Sequence, residues 1–297
     1  DVPCQLVTKI ANYEQNKLYS SIGYVVSQYN NFSTAGTGFL IAPDMVLTAA
    51  HNVMFSELEG DANLAKEQAK KIEFHLRYDN GKEHTPTQYC TSRLPQQWTT
   101  SFHPEYDFCV LFLPCRVNEP FLKLAAVTQN HIPISCEIVG YPGTIFTPPS
   151  PKKPKKNKPI SRYASSGDIT KLHQKKSIIC HDAFTWSGNS GGPIAVYKDD
   201  KKTDQFCVGV HTSGNNDSNL GVHCATHMTQ YVSKWVQEKD KIEDPSFKKL
   251  FQKIIGSLTQ KKEEIEFLKR KADYFEKYSE SDLMHMARVY LDGYRAQ

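Results

Sequence analysis

The chain has 297 residues, of which 39% are hydrophobic and 23% are charged, and this length and composition predict a folded protein of about two domains. The net charge of +4 is too small to indicate nucleic acid or a membrane surface as the main partner. The longest apolar runs are far shorter than the roughly 20 residues of a membrane-spanning helix. We therefore expect a soluble globular protein.

Short strands dominate the chain from Ile22 to about Met228, where apolar segments alternate with turn residues and helical periodicity is almost absent. This pattern favours a β-barrel or a β-sandwich. The clearest predicted strands are residues 22–26, 38–41, 45–48, 71–76, 108–113, 135–140 and 205–210. Residues 148–159 are rich in proline and lysine, which predicts a solvated loop, with nuclear import or polyanion binding as alternatives.

The last part of the chain changes to a helical pattern. Apolar residues recur three or four positions apart, as on one face of an amphipathic helix, at Phe247, Leu250, Phe251, Ile254, Ile255 and Leu258 and again at Ile265, Leu268, Ala272 and Phe275. A further helix is predicted after residues 279–282. We expect these helices to pack on the rest of the chain, with self-association or control of substrate access as alternatives.

Three local motifs contain residues with catalytic chemistry. His51 ends one apolar segment, Asp107 precedes another, and Ser190 lies in a glycine-rich turn. A serine hydroxyl needs a base to act as a nucleophile at neutral pH, and a histidine oriented by a carboxylate suits that role. The glycines let the backbone curl so that the amides of Gly188 and Ser190 converge on one developing oxyanion. Together the motifs predict a hydrolase with a nucleophilic serine.

These motifs resemble those of the chymotrypsin-fold serine endopeptidases, and within that class the glutamyl endopeptidases of staphylococcal type. The resemblance covers about residues 19–240 and rests on residues 139–143, 167–170, 185–193, 208–214 and 228–236. It implies that His51 is the general base, Asp107 the orienting acid and Ser190 the nucleophile. The amides of Gly188 and Ser190 would form the oxyanion hole.

The fold implied by this resemblance is mainly β, with two six-stranded antiparallel barrels and a C-terminal α-helical extension. Residues 1–130 would form the first barrel, with His51 and Asp107, and residues 131–240 the second, with Ser190. Residues 241–297 would form the helical extension. The active site would then lie where the two barrels meet.

The resemblance also implies a primary specificity pocket for acidic residues. Thr185 and His211 fall where glutamyl endopeptidases bind the substrate carboxylate, and Thr212, Ser213 and Gly214 should line the pocket. A buried carboxylate needs a positive or hydrogen-donating partner, or else desolvation outweighs binding. We expect cleavage after Glu and less readily after Asp. An uncharged pocket, with His211 as a core residue, is the alternative.

Two positions depart from the digestive trypsins. Asn189 stands where trypsin-like enzymes carry an acid that pairs with a newly formed N-terminal ammonium. That activating ion pair is therefore not available to this chain. Phe184 falls at the base of the pocket in place of the aspartate of trypsin, which disfavours cleavage after Lys or Arg.

No metal or organic cofactor is expected, since His223, Cys224 and His227 have no clear fourth ligand for zinc. The expected partner is a polypeptide substrate, and no nucleic acid is expected. A catalytically idle protease fold that binds partners through residues 152–158 or the C-terminal helices is the alternative from another functional class.

The compartment is predicted from cysteines and glycosylation sequences. The eight cysteines show no CxxC spacing, and their even number permits disulfide bonds. Sequons begin at Asn31 and Asn216. These features and the resemblance favour a secreted or lumenal, disulfide-bonded protein. The lysine-rich loop and the missing animal disulfide pattern favour the intracellular alternative.

Overall fold

The structure is a computed structural model, and it describes most of the chain. The described residues are 7–9, 16–56, 66–79, 87–114, 116–143, 160–173, 177–198, 204–214, 219–223, 226–239, 245–270, 284, 287–289, 291–292 and 295. The lysine-rich loop 152–158 lies outside these residues. So do the sequon at Asn216 and the apolar positions Ala272 and Phe275.

Seven strands of the N-terminal half form an antiparallel sheet. They are β2 (Ile22–Gln28), β3 (Ser33–Ala42), β4 (Met45–Thr48), β7 (Lys71–Leu76), β8 (Gln88–Tyr89), β9 (Thr91–Arg93) and β10 (Cys109–Phe112). Their order across the sheet is β8-β7-β2-β3-β4-β10-β9. β8 and β9 are consecutive in the chain and yet form the two opposite edges of the sheet. The sheet therefore curls into a nearly closed barrel.

Six strands of the C-terminal half form the second barrel. They are β12 (Ile134–Gly140), β13 (Tyr163–His173), β14 (Ile178–His181), β15 (Pro193–Tyr197), β16 (Gln205–Gly214) and β17 (Asn219–His223). The order is β13-β12-β15-β16-β17-β14, and a pairing between β13 and β14 closes the barrel. The predicted fold of two antiparallel β-barrels is therefore confirmed.

Four short strands lie outside these two sets of strands. β1 (Val7–Lys9) pairs with β13, and β11 (Lys123–Leu124) pairs in parallel with β16. Residues early in the chain and residues just before the second barrel thus both extend the second sheet. β5 (Met54–Ser56) and β6 (Lys66–Gln68) form a separate two-stranded ribbon.

The central strands β4 and β10 bring two distant motifs together. Both strands are buried at all four positions, as their continuous apolar sequences predict. They pair antiparallel with Cys109 opposite Thr48. The end of β4 therefore lies beside the start of β10, and the residues just beyond these ends, His51 and Asp107, meet at one edge of the barrel.

A buried ion pair connects the two halves. Arg162, just before β13, is completely buried, and its Nη2 atom lies 2.5 Å from Oδ2 of Asp79, which follows β7. The Arg162 backbone amide donates to the other Asp79 oxygen over 3.3 Å, and Nη1 donates to the Tyr19 carbonyl. This guanidinium in the second half is thus held by groups of the first.

Among the described residues, the α-helices with defined bounds are α1 (Lys17–Ser20), α2 (Gln96–Ser101), α3 (Thr226–Lys239), α4 (Pro245–Leu258) and α5 (Lys262–Arg270). The predicted apolar face is buried at Ile254, Ile255 and Leu268, which join the cluster that also contains Phe39 and Tyr141 of the barrels. The C-terminal helices thus pack on the rest of the chain. No helix among the described residues has the length and apolar character to cross a membrane.

The described cysteines differ from the expected disulfide-bonded pattern. Five of them are free and buried, namely Cys90, Cys109, Cys136, Cys180 and Cys207. Burial raises the pKa of the Cys136 thiol to about 12, with nearby carboxylates contributing in the same direction. These side chains fill apolar space as thiols, so the expectation of disulfides is wrong for these five. Cys4, Cys115 and Cys224 lie outside the described residues.

Candidate active site

His51 and Asp107 form a hydrogen-bonded pair. His51 lies in a single turn of 3-10 helix, Ala50–Asn52, directly after β4. Its Nδ1 atom lies 2.8 Å from Asp107 Oδ2, and its backbone amide donates to Asp107 Oδ1 over 3.0 Å. Both carboxylate oxygens are thus engaged by one histidine, which fixes the ring with Nδ1 toward the acid and Nε2 away from it.

The environment of this pair sets the basicity of the imidazole. The His51 side chain is 32% exposed and the Asp107 side chain 10%. Burial lowers the pKa of His51, but the charge of Asp107 and the hydrogen bond to it raise that pKa more strongly. The net pKa therefore lies above the usual range of histidine, as expected for an imidazolium stabilised by a carboxylate.

Ser190 lies in a turn that requires glycine at two places. The φ angles are +100° at Gly188 and +88° at Gly191, in the region where L-residues with a Cβ are strained. A Cβ on Gly188 would also collide with the Tyr141 carbonyl, and one on Gly191 with the Thr37 carbonyl. The glycines noted in the sequence thus permit both the backbone conformation and its close packing on the neighbouring strands.

The orientation of the Gly188 amide follows from a hydrogen bond on the preceding carbonyl. Gly143 N donates to Ser187 O over 2.8 Å. Because a trans peptide is planar with its N–H opposite its C=O, this bond turns the Gly188 N–H away from Gly143. Within the part of the chain that the structure describes, the Gly188 amide donates no hydrogen bond.

The Ser190 amide is oriented in the same way. Gly192 N donates to Asn189 O over 2.9 Å, which directs the N–H of the same peptide, that of Ser190, to the opposite side. Among the described residues this amide also has no acceptor. Two unused donors next to a serine are the arrangement that binds a developing oxyanion.

Ser190 is anchored from both halves of the fold. Its Oγ donates to the Thr212 carbonyl on β16 over 3.2 Å. Its own carbonyl oxygen accepts from Thr37 N over 2.8 Å and from Asn52 Nδ2 over 2.9 Å, both in the first barrel. No hydrogen bond between Ser190 Oγ and the His51 ring is formed among the described residues, and catalytic hydrogen bonds are often loose in a free enzyme.

The predicted pocket residues lie on β16 and in the turn before Ser190. The backbone of His211 brackets that turn, because Gly191 N donates to His211 O over 2.7 Å and His211 N donates to Gly192 O over 2.8 Å. Ser213 and Gly214 are exposed, whereas His211 and Thr212 are buried. The strand thus runs directly alongside the serine, with its last residues open to solvent.

His211 has a second histidine as its neighbour. His181 Nε2 lies 3.2 Å from His211 Nδ1, and both rings are almost completely buried. Burial lowers the pKa of His181 to about 4, although Asp182 and a backbone hydrogen bond act in the opposite direction. Burial also lowers the pKa of His211 well below its usual value, and the neighbouring rings of His181 and His51 lower it further. The pair is therefore neutral at pH 7.

Thr185 is engaged by a residue that sequence reasoning missed. Thr185 Oγ1 donates to Asn219 Oδ1 over 2.8 Å, and Asn219 Nδ2 donates to the Ala183 carbonyl. A Cβ on Gly214 would collide with the Asn219 side chain. Asn219 thus lies between the two walls assigned to the pocket. Only the pairing of β16 with β17 reveals the position of Asn219, because this pairing places Asn219 opposite Gly214.

Comparison with known proteins places the chain in a family. The model of the trypsin-like peptidase domain matches residues 36–200, which is more than half of the 297 residues. The chain belongs to the trypsin-like peptidase family. Its two barrels are those of a chymotrypsin-fold serine protease, as the sequence motifs predicted.

Similar solved structures support the fold of this trypsin-like peptidase. A Glu endopeptidase in complex with MPD is 23% identical with a TM-score of 0.59, and the match covers 77% of this chain and 95% of that one. Protease Anisep from Arthrobacter nicotinovorans is 18% identical with a TM-score of 0.54, over 71% of this chain and 93% of that one. At such identities the likeness concerns the fold alone.

A curated relative of this trypsin-like peptidase is the "Extracellular metalloprotease" of Bacillus subtilis (strain 168). It is 23% identical over 242 residues, covering 78% of this chain and 68% of the relative. Among the residues described in the present chain, no group of three or more His, Cys, Asp or Glu is placed to hold a metal ion. Cys224 and the side chains of His223 and His227 lie outside that set.

Proposed function

We propose that this trypsin-like peptidase is a serine endopeptidase with His51, Asp107 and Ser190 as its catalytic residues. The Asp107–His51 pair supports this role, because an imidazole with a raised pKa readily accepts a proton. The two unused amides at Gly188 and Ser190 supply the other requirement, a preformed site for negative charge. These features lie at the junction of the barrels, where an extended substrate can reach both.

The proposed reaction proceeds through an acyl-enzyme. Ser190 Oγ attacks the substrate carbonyl carbon as His51 Nε2 takes the hydroxyl proton, and the carbonyl oxygen becomes an oxyanion held by the two amides. His51 then transfers the proton to the leaving amine as the C–N bond breaks. A water molecule, deprotonated by His51, attacks the acyl-enzyme, and His51 returns the proton to Ser190 Oγ as the carboxylic acid leaves.

The observation that carries this proposal is the anchored Ser190 turn with its two free amides, and active-site labelling tests it. We expect a fluorophosphonate probe to attach to Ser190 in the whole protein and to be lost in Ser190→Ala. Ser101→Ala, an exposed serine on α2, serves as the matched control and should label normally. Absence of labelling in the wild-type protein would contradict the proposed chemistry and favour a non-catalytic binding role.

We further propose that the pocket prefers Glu, and Asp less, on the acyl side of the cleaved bond. The support is the placement of His211 beside the Ser190 turn and of Thr185 just before it. A carboxylate drawn toward His211 would raise the pKa of the histidine pair, and His181 would share the proton that is taken up. The neutral pair at pH 7 thus has the capacity to become a positive partner when substrate binds.

Two observations favour an uncharged pocket, the second candidate. The His211 ring is nearly inaccessible, and the Thr185 hydroxyl proton already points to Asn219. Peptide substrates that differ only by Glu or Gln before the cleaved bond distinguish the two. A kcat/KM ratio well above one for Glu supports the acidic pocket, whereas equal values support the uncharged one.

We propose that the protein is secreted or lumenal. The support is the name of the Bacillus subtilis relative and the exposed position of the Asn31 sequon. Treatment of the natural protein with an N-glycosidase tests this where the host glycosylates. A mass shift at Asn31 supports the proposal. An unmodified Asn31 together with eight reactive thiols after denaturation supports the intracellular alternative.

A further inference from the structure

Asn52 joins the two catalytic segments by one side chain. It follows His51 directly in the chain, is 4% exposed, and donates from Nδ2 to the Ser190 carbonyl over 2.9 Å. The same nitrogen donates to Thr48 Oγ1 over 3.0 Å. An amide nitrogen carries two hydrogens, so both donors are used, one toward its own barrel and one toward the other.

We propose that Asn52 is a positioning residue that sets the distance between the His51 base and the Ser190 nucleophile. This inference rests on the catalytic roles proposed above. Its basis is the direct link from the histidine turn, through one buried amide, to the backbone of the serine itself. A buried hydrogen bond in a water-poor junction holds its geometry because breaking it leaves polar atoms unsatisfied.

The surroundings restrict the Asn52 side chain to this orientation. A Cβ on Gly36 of β3 would lie 2.6 Å from Asn52 Cγ, so only glycine leaves room for the side chain on that side. The Asn52 carbonyl accepts from Tyr29 Oη over 3.2 Å and from Thr34 Oγ1 over 3.4 Å. The backbone and the side chain of Asn52 are thus held by separate sets of partners.

Asn52 shares the Ser190 carbonyl with a second donor. Thr37 N reaches the same oxygen over 2.8 Å, and Thr37 Oγ1 donates to Gly188 O over 2.8 Å. Thr48 Oγ1, which accepts from Asn52, donates in turn to the Thr37 carbonyl over 2.6 Å. The serine turn is therefore docked on β3 and β4 by a connected network, and Asn52 is the member next to the general base.

Two substitutions and one control test this role. Asn52→Leu keeps the branched shape of the side chain but has no hydrogen-bond donor. Asn52→Ala replaces it if Asn52→Leu does not fold. Tyr29→Phe is the matched control, since it removes a hydrogen bond to Asn52 but not the one to Ser190. Measurements are kcat, KM, the melting temperature, the pH profile and the rate constant of fluorophosphonate labelling.

We expect the Asn52 variants to lower kcat and the labelling rate constant together by about 10–10² relative to Tyr29→Phe, because misplacement by about 1 Å has such an effect. KM and the acid limb of the pH profile should stay unchanged, since the pocket and the Asp107–His51 pair remain intact. A purely structural role would lower the melting temperature and leave the kinetics of the folded protein unaltered, which would overturn the inference.

The outcome also separates this inference from the proposed function. If wild-type protein is not labelled at Ser190, the catalytic proposal itself fails. If wild-type protein is labelled and the Asn52 variants react as fast as Tyr29→Phe, only the positioning role of Asn52 fails.

Discussion

The two barrels contribute to the candidate site in different ways. The first barrel presents side chains, the His51 imidazole and the Asp107 carboxylate, held by bonds to each other. The second barrel presents mainly backbone, the amides of Gly188 and Ser190, oriented by hydrogen bonds on the neighbouring carbonyls. In the first barrel chemistry depends on charge and pKa, whereas in the second it depends on the conformation that glycine allows.

This difference determines which substitutions do damage. In the first barrel, an isosteric substitution that removes one charge should be enough to lower the activity, while the fold stays unaltered. In the second barrel the sensitive positions are those where a side chain is absent, so adding a methyl group should be harmful.

The largest effect is expected from Asp107→Asn. The change keeps the shape but removes the charge that raises the pKa of His51, so kcat should fall by about 10⁴. We expect wild-type activity to fall as pH falls through that raised pKa, because the proposed base becomes protonated. In the variant this acid limb should move to lower pH. A kcat/KM profile with an unmoved limb would contradict the pairing of these residues.

The connection between the barrels should be the most sensitive point for stability. Asp79→Ala leaves the buried Arg162 guanidinium without its carboxylate, and breaking such a pair costs about 3–5 kcal/mol. Urea unfolding followed by fluorescence measures the loss. Glu266→Ala, which breaks the exposed pair between Lys269 and Glu266, is the control and should change the unfolding midpoint only slightly. Equal effects would argue against a dry inter-barrel contact.

The backbone contribution of the second barrel is tested by Gly188→Ala. The new Cβ would meet the Tyr141 carbonyl at a φ angle of +100°, so the turn must shift and one oxyanion donor is lost. We expect kcat to fall by about 10²–10³. Gly256→Ala, where a Cβ meets nothing within 4 Å, should leave the kinetics unchanged. A fully active Gly188→Ala would show that this amide does not bind the oxyanion.

The preference for Glu over Gln before the cleaved bond should depend on the His211 side chain. Replacing His211 with Leu removes the proposed partner of the substrate carboxylate, and loss of such a buried partner costs at least about 2 kcal/mol. The Glu-to-Gln ratio of kcat/KM should therefore fall by about 30-fold or more, while Gln peptides are cleaved nearly as before. A ratio that does not change would assign His211 to the core.

The smallest effect is expected in the pH dependence of the preference for Glu over Gln. The pKa values of His181 and His211 are lowered, so the pair is neutral at pH 7, and binding a carboxylate should draw in one proton. The Glu-to-Gln ratio of kcat/KM should then rise as pH falls from 7.5 to 6.5, by at most about tenfold. A ratio that is constant across this range would mean that the carboxylate is bound without proton uptake.

Much of the molecule followed from local sequence. Alternating and continuous apolar segments predicted β2, β4, β7, β10 and β12 because strand periodicity is a short-range property. The glycine-rich turn around Ser190 was recognisable because strained backbone needs glycine. The disulfide expectation failed for the five described cysteines, since a count of cysteines does not tell a buried thiol from a bonded one.

Other parts could not be predicted from local sequence. Neither Asn52 nor Asn219 stands out in the sequence, because a single asparagine forms no pattern. Their partners, Ser190 and Thr185, are 138 and 34 positions away. The contact of His181 with His211 likewise depends on how β14 and β16 are placed around the second barrel.

The amino-acid sequence by itself determined the strands, the glycine turn and the choice of three candidate catalytic residues, because these depend on side-chain chemistry and on neighbours a few positions apart. The tertiary structure decided which groups touch: the pairing of β4 with β10 that joins acid to histidine, and the docking of the serine turn on the first barrel. Such contacts depend on sheet register and barrel closure, which arise from the packing of the whole chain.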